Sequence, residues 1–106
     1  MSIEDLDGKT LQTRYGLSRL SLGQYPNGRP AITLFIADGE EGAGEAIATL
    51  TVNIPGVQLG PDEIIVKTWS ENLATAALML KTGWFKDTGR RVPTGFVQAE
   101  IWKVLV

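Results

Sequence analysis

The sequence predicts an α+β fold in a single domain: an antiparallel sheet of four or five strands with one helix packed on one face. Three observations support this fold class. Short β-branched runs alternate apolar and polar residues between turns rich in Gly and Pro. One stretch, about residues 71–82, spaces its apolar residues as a helix does. The length of 106 residues fits one domain and leaves no room for two.

The first half of the chain predicts three strands. Residues 1–10 are polar and acidic, so we expect a flexible arm or an irregular start. A first strand follows over about 11–25, with a bulge near Gly16. Asn27-Gly28 lies between two apolar-periodic stretches, which is a strong signal for a hairpin turn into a second strand over about 31–37. Alternate residues of that second strand are predicted to face the core: Ile32, Leu34 and Ile36.

The next segments continue the same pattern. Residues 38–45 are acidic and rich in Gly and predict a mobile turn. A third strand is expected over 46–52, then a loop with two prolines over 54–63, and then a fourth strand over 64–69. In the third strand, Ala48, Leu50 and Val52 are predicted to point inward, and Thr49 and Thr51 outward. The outward sheet face, with Thr49, Thr51, Phe35 and Trp102, is predicted to stay partly open to solvent.

The helix has start and stop signals of its own. Ser70 is a suitable N-cap, and Glu71 lies beside the positive end of the helix dipole. Lys81 and Gly83 are typical of a helix end. The predicted buried face consists of residues at helical spacing: Leu73, Ala76, Ala77 and Leu80. A polar loop or hairpin is expected over 86–95, and a last strand over 96–106 in which Val97, Ala99 and Ile101 point inward.

Composition argues against most enzyme and cofactor classes. The chain has no His and no Cys, which removes His-based acid/base chemistry, thiol nucleophiles, disulfides and the usual zinc sites. We therefore predict no enzymatic activity, no cofactor and no metal. The net charge of −2 and pI near 5.0 argue against a nucleic-acid binder. No apolar run approaches the ~20 residues that a membrane span needs, and the start of the chain does not resemble a signal peptide, so a cytoplasmic location is expected.

Charge is distributed unevenly along the chain. Residues 1–63 carry nine acids and four bases, for a net charge of −5, whereas residues 64–106 carry six bases and three acids, for a net charge of +3. Two solvated surfaces of no special purpose would explain this pattern. The alternative is an acidic face that meets a basic partner.

Candidate partner-binding residues follow from these patterns. The acidic turn offers carboxylates, and the strand-to-helix junction has free backbone N–H groups. Trp and Arg are the residue types that most often anchor interfaces. The candidates are Asp38, Glu40, Glu41, Glu45, Trp69, Glu71, Asn72, Arg90, Arg91 and Trp102. Arg90 and Arg91, together with the helix start at Ser70, also allow a second hypothesis, a phosphate or small-ligand site.

Several short stretches together resemble a known family. They are Ala31-Ile32-x-Leu34, Ala48-Thr49-Leu50-Thr51-Val52-Asn53-Ile54-Pro55, Val66-Lys67-x-Trp69-Ser70-Glu71-Asn72 and Asp87-Thr88-Gly89-Arg90-x-Val92-x-x-Gly95-Phe96-Val97. In this order they resemble a small domain-of-unknown-function family carried by phages, plasmids and conjugative elements. The similarity covers about residues 15–104 and supplies no catalytic residues.

The resemblance implies a mobile-element setting. In that setting, small acidic proteins often inhibit host defence, and anti-CRISPR proteins are one class of them. We therefore expect a non-enzymatic factor that binds a host or element-encoded protein complex, such as a CRISPR effector, and occludes it stoichiometrically. Two alternatives remain open: a small-ligand or nucleotide-binding accessory domain, and a structural subunit of a conjugation or replication complex.

Overall fold

The computed structural model describes residues 3–106 and contains seven strands and one α-helix. The strands are Thr10–Thr13 (β1), Gly16–Gln24 (β2), Pro30–Ile36 (β3), Ala46–Thr49 (β4), Glu63–Val66 (β5), Phe85–Thr94 (β6) and Val97–Val104 (β7), and the helix is Asn72–Lys81 (α1). All strand pairs are antiparallel. The predicted class, a single α+β domain with one helix, is confirmed, although the strands form two sheets rather than one.

The first sheet has four strands in the order β1-β2-β3-β4. Its predicted first strand is in fact two strands, joined by a two-residue turn at Arg14 and Tyr15. Gly16 follows that turn with a φ of 105°, a conformation that glycine adopts readily. The predicted hairpin at Asn27-Gly28 does connect β2 to β3. Side chains of β3 alternate as predicted, and the buried ones are Ile32, Leu34 and Ile36.

The second sheet has three strands in the order β5-β7-β6. Residues 86–95 are predicted to form a polar loop or hairpin, but nearly all of them belong to β6, which pairs with β7 on both sides of an irregularity between Asp87 and Arg91. The central strand β7 is buried on both faces, since the neighbours Ile101 and Trp102 are 1% and 0% exposed. Strict alternation therefore does not apply to it, and the prediction that Trp102 lies on an open face is wrong.

The two sheets meet where β4 ends. Thr51 forms an isolated bridge with Val66, and the Lys67 amide donates a hydrogen bond to the Leu50 carbonyl. Thr51 is only 3% exposed, contrary to its predicted outward position, because its hydroxyl accepts the Ile32 amide hydrogen bond at this junction. One apolar cluster fills the space between the sheets and the helix; it includes Leu6, Leu20, Ile32, Leu34, Leu50, Ile64, Val66, Met79, Phe85 and Trp102.

The start of the chain packs against the first sheet instead of forming a flexible arm. Residues Ile3–Leu6 form a short 3-10 helix, and Leu6 is fully buried in the apolar cluster. The Asp7 carboxylate accepts the Leu22 amide at 2.9 Å, which fastens the segment to β2. The arm prediction for residues 3–10 therefore needs correction, since one buried leucine holds an otherwise polar segment in place. Residues 1 and 2 lie outside the described part of the chain.

Helix α1 has the predicted bounds to within one residue, but a different face is buried. The buried residues are Asn72, Ala76 and Met79. Of the face predicted to be buried, Ala76 is buried and Leu80 half-buried, whereas Leu73 is 68% exposed and Ala77 is exposed. Ser70 is not the N-cap: it has a positive φ of 55°, and Glu71 occupies the cap position without a side-chain cap hydrogen bond.

Candidate functional site

The outward face of α1 is unusually apolar for a surface helix. Leu73 is 68% exposed, Ala74 and Ala77 are exposed, and Leu78 is half-buried. Surface helices normally turn charged and polar residues to solvent, and a helix that is apolar all round is normally buried. The outward face of α1 therefore has the composition of a contact surface.

A groove of about 400 Å³ runs beside this face. The helix forms one wall, and the β1–β2 turn with strands β3 and β4 forms the other. Its apolar lining includes Leu34, Ile47, Ala48, Ala74, Ala77 and Leu78. Tyr15, which is 52% exposed, stands at the β1–β2 turn and extends the apolar surface across the groove.

Charged side chains lie at the two ends of the groove and on its rim. Glu71 lies at the start of α1 and Lys81 at its end, and Arg14 lies on the β1–β2 turn. Within residues 3–106, neither Arg14 nor Lys81 forms an ion pair. Glu71 pairs with the Lys67 ammonium at 3.0 Å but remains 67% exposed. Its own backbone N–H and the Lys67 ammonium hold the pKa of the Glu71 carboxyl below its usual value, so the side chain is an anion at neutral pH.

The acidic turn contains one structural carboxylate and three exposed ones. Glu40 is half-buried, and its Oε1 accepts the Leu17 amide at 2.7 Å, which anchors the turn to β2. The turn is also closed by the Gly44 amide, which donates to the Ile36 carbonyl at 2.9 Å. The remaining acids are exposed to solvent: Asp38, Glu41 and Glu45. These three are the acidic candidates left accessible to a partner.

The strand-to-helix junction holds one accessible candidate and one buried one. Trp69 is half-buried, with the Lys67 ammonium 6.0 Å from its ring centroid. Asn72 is only 1% exposed, and its Nδ2 donates to the Thr49 carbonyl at 2.7 Å. The prediction that Asn72 contacts a partner is therefore wrong, because its side chain connects α1 to the end of β4.

We expect Asn72→Ala to lower the free energy of unfolding by about 1–3 kcal/mol, because the substitution removes the hydrogen bond that the buried Asn72 side chain donates to the Thr49 carbonyl. Urea denaturation followed by circular dichroism measures the change. Glu71→Ala is the matched control: it changes the adjacent exposed residue and should lower stability clearly less than Asn72→Ala does. Equal losses in the two variants would contradict the structural role of Asn72.

Trp102 is also unavailable to a partner. It is 0% exposed, its ring centroid lies 5.6 Å from that of Phe85, and its indole N–H donates to Glu100 Oε1 at 2.9 Å. A side chain enclosed in this way stabilises the core. The prediction of Trp102 as an interface anchor is therefore wrong.

Arg90 and Arg91 are both occupied by contacts within the protein. Arg90 pairs with Glu63 at 2.9 Å and also donates to the Gln58 carbonyl at 2.7 Å. Arg91 makes a two-pronged contact with Asp87, with both distances 2.9 Å, and it holds the pKa of the Asp87 carboxyl below its usual value. Both guanidinium groups thus fasten neighbouring segments, which weakens the phosphate-site hypothesis.

The sequence predicts an amphipathic helix with one buried face, and this expectation leaves the outward face of α1 unidentified. The sequence does indicate an apolar outward face, since Asn72 and Thr75 are the only polar residues between positions 72 and 80. A helix with so few polar residues has no face suited to water, and that composition alone indicates a second contact surface.

Three further observations concern metal ions, membrane spans and similar proteins. No group of three or more carboxylates in the described part of the chain is placed to hold a metal ion. Among residues 3–106, no helix is both long and apolar enough to cross a membrane. Comparisons with protein families, curated proteins and solved structures find no match to this chain.

Proposed function

We propose that this chain is a non-enzymatic protein-binding factor that acts by stoichiometric contact, and that the outward face of α1 is its contact surface. One observation carries the proposal: Leu73, Ala74 and Ala77 are exposed on a helix with almost no polar residues. Exposed apolar surface of this kind is typical of protein–protein contact sites. The groove beside the helix adds the concavity into which a partner side chain can insert.

The resemblance to mobile-element proteins supports a finer form of the proposal. In that form the partner is a host or element-encoded protein complex, such as a CRISPR effector, and the chain occludes one of its working surfaces. The exposed acids Asp38, Glu41 and Glu45 suit a partner whose surface is basic, since opposite charges speed the encounter between proteins. A structural subunit of a conjugation or replication complex would use the same face of α1 with a different partner.

We expect Ala77→Glu to abolish capture of the partner without unfolding the domain. Ala77 is exposed, and a glutamate there lies one helical turn before Lys81, which favours the helix. The immobilised wild-type chain and the variant are incubated with bacterial lysate, and retained proteins are quantified by mass spectrometry. A protein retained in about equimolar amount by the wild type should fall at least about tenfold with the variant.

Ala43→Glu is the matched control, because it makes the same substitution at an exposed position in the acidic turn. It should retain the partner as the wild type does. Equal capture by Ala77→Glu and the wild type would refute α1 as the contact surface. Capture lost equally with both variants would assign the effect to added negative charge.

A further inference from the structure

We propose that a second copy of this chain docks on the outward face of α1, with the two α1 helices antiparallel across a two-fold axis. The inference rests on the proposed function, since it names one occupant of the same face. The features that carry it are the spacing of four residues along α1 and the complementarity of those residues under a two-fold rotation.

The four residues form a line along the helix. Glu71, Ala74, Leu78 and Lys81 are separated by three, four and three positions, which is the spacing of a seam between paired helices. All four line the groove. Glu71, Ala74 and Lys81 are exposed and Leu78 is half-buried, so the seam is open to a second helix.

When the α1 helix of a second copy runs in the opposite direction, the four residues of one helix are complementary to those of the other. A two-fold axis through the middle of α1, near Ala76, brings together residues equally distant from that midpoint. Glu71 then meets Lys81 of the second copy, and Lys81 meets its Glu71. Ala74 meets Leu78 of the second copy, so a small residue faces a large one at both central positions. Each of the four contacts is favourable in charge or in shape.

A parallel arrangement lacks this match. It would place Glu71 against Glu71 and Lys81 against Lys81, and like charges in contact weaken an interface. The groove gives the antiparallel pair room for the leucine side chains, and Tyr15 extends the apolar surface toward the second copy. The Arg14 guanidinium lines the same groove and lies over the Tyr15 ring, to whose hydroxyl it donates a hydrogen bond.

The short length of α1 limits the affinity that we expect between two copies of the chain. Ten residues of α1 span only about 15 Å, so the contact belongs to the small interfaces that bind weakly. We therefore expect a dimer with a dissociation constant on the order of 10 µM. At about 0.05 M salt the two charge contacts are screened least, so this is the condition for the measurement.

A charge-exchange experiment tests the arrangement. Sedimentation velocity of the full chain at about 5–500 µM should show a monomer–dimer equilibrium for the wild type. Glu71→Lys and Lys81→Glu should each raise the dissociation constant at least about tenfold, because each places two like-charge contacts in the dimer. An equimolar mixture of the two variants should form dimers again, since one carries only lysines and the other only glutamates at positions 71 and 81.

Control variants and contrary outcomes separate this inference from the proposed function. Glu41→Lys and Lys86→Glu make the same charge changes at exposed positions that neither belong to α1 nor line the groove, and they should dimerise as the wild type does. A wild-type chain that is monomeric at 500 µM overturns the inference, and so does a mixture that stays monomeric while the wild type dimerises. Either result leaves α1-dependent capture of another protein intact, whereas loss of that capture alone leaves the dimer intact.

Discussion

Replacing Trp102 with alanine is expected to lower the free energy of unfolding by about 3–5 kcal/mol, which is the usual cost of removing a large buried aromatic side chain. Trp102 is fully buried and packs against Phe85 within the apolar cluster shared by both sheets and the helix. Small domains are stable by only about 5–15 kcal/mol, so the variant should lose much of its stability. Urea denaturation monitored by far-UV circular dichroism measures the loss.

Two variants make the result specific. Trp102→Phe keeps most of the apolar volume and should lose clearly less stability than Trp102→Ala. Phe96→Ala removes an aromatic side chain that is fully exposed and should change stability by less than about 0.5 kcal/mol. If Trp102→Ala proved as mild as Phe96→Ala, Trp102 would not be a core residue.

The second large effect is expected at Met79. Met79 is fully buried on the inward face of α1, so Met79→Ala should cost about 2–5 kcal/mol. Leu73→Ala should cost less than about 0.5 kcal/mol, because Leu73 is 68% exposed and alanine is a better helix former than leucine.

The difference in stability loss between Met79→Ala and Leu73→Ala shows which face of α1 is turned toward the core. Both substitutions shorten an apolar side chain of similar size on the same helix, so differences in helix propensity are small. Chemical denaturation of the pair in parallel gives the difference directly. A large loss for Leu73→Ala with a small loss for Met79→Ala would show that the helix is rotated to the face first expected from the sequence.

Local patterns were enough to predict much of the fold. The Asn27-Gly28 turn and the alternation along β3 are set by neighbouring residues, and both are confirmed. The bounds of α1 were also predicted to within one residue, because Lys81 and Gly83 are local stop signals. Each of these features depends on contacts between residues close together in the chain.

Features that depend on distant contacts were not predicted. Strand β5 pairs with β7, about 40 positions further along the chain, and no pattern within either segment indicates that choice. The burial of Trp102 has the same origin, since alternation identifies one inward face and β7 has two. The predicted buried face of α1 is partly wrong for a different reason. Apolar residues occur on several sides of this helix, so more than one set of them has helical spacing.

The candidate site was predicted only in part. Residue types typical of interfaces identified Trp69 and Glu71, which remain accessible, and also Trp102 and Asn72, which are buried. Residue type alone cannot separate these cases, because Trp packs equally well into a core and an interface. Arg90 and Arg91 lie on β6 instead of in the predicted polar loop. Arg90 pairs with Glu63 at the start of β5, which the sequence does not reveal, whereas Arg91 pairs with Asp87 four residues earlier on the same strand.

The strand order of the second sheet sets a sequence of events during synthesis. Strand β7 lies between β5 and β6, so neither of those strands has its neighbour in the second sheet until residues 97–104 have been synthesised. The first sheet joins consecutive strands and can assemble earlier from hairpins. The apolar cluster between the sheets is then incomplete until Trp102 and Val104 join it. A chain that has not yet placed β7 therefore exposes apolar residues that the folded protein buries, and partly folded species of this kind are prone to aggregation.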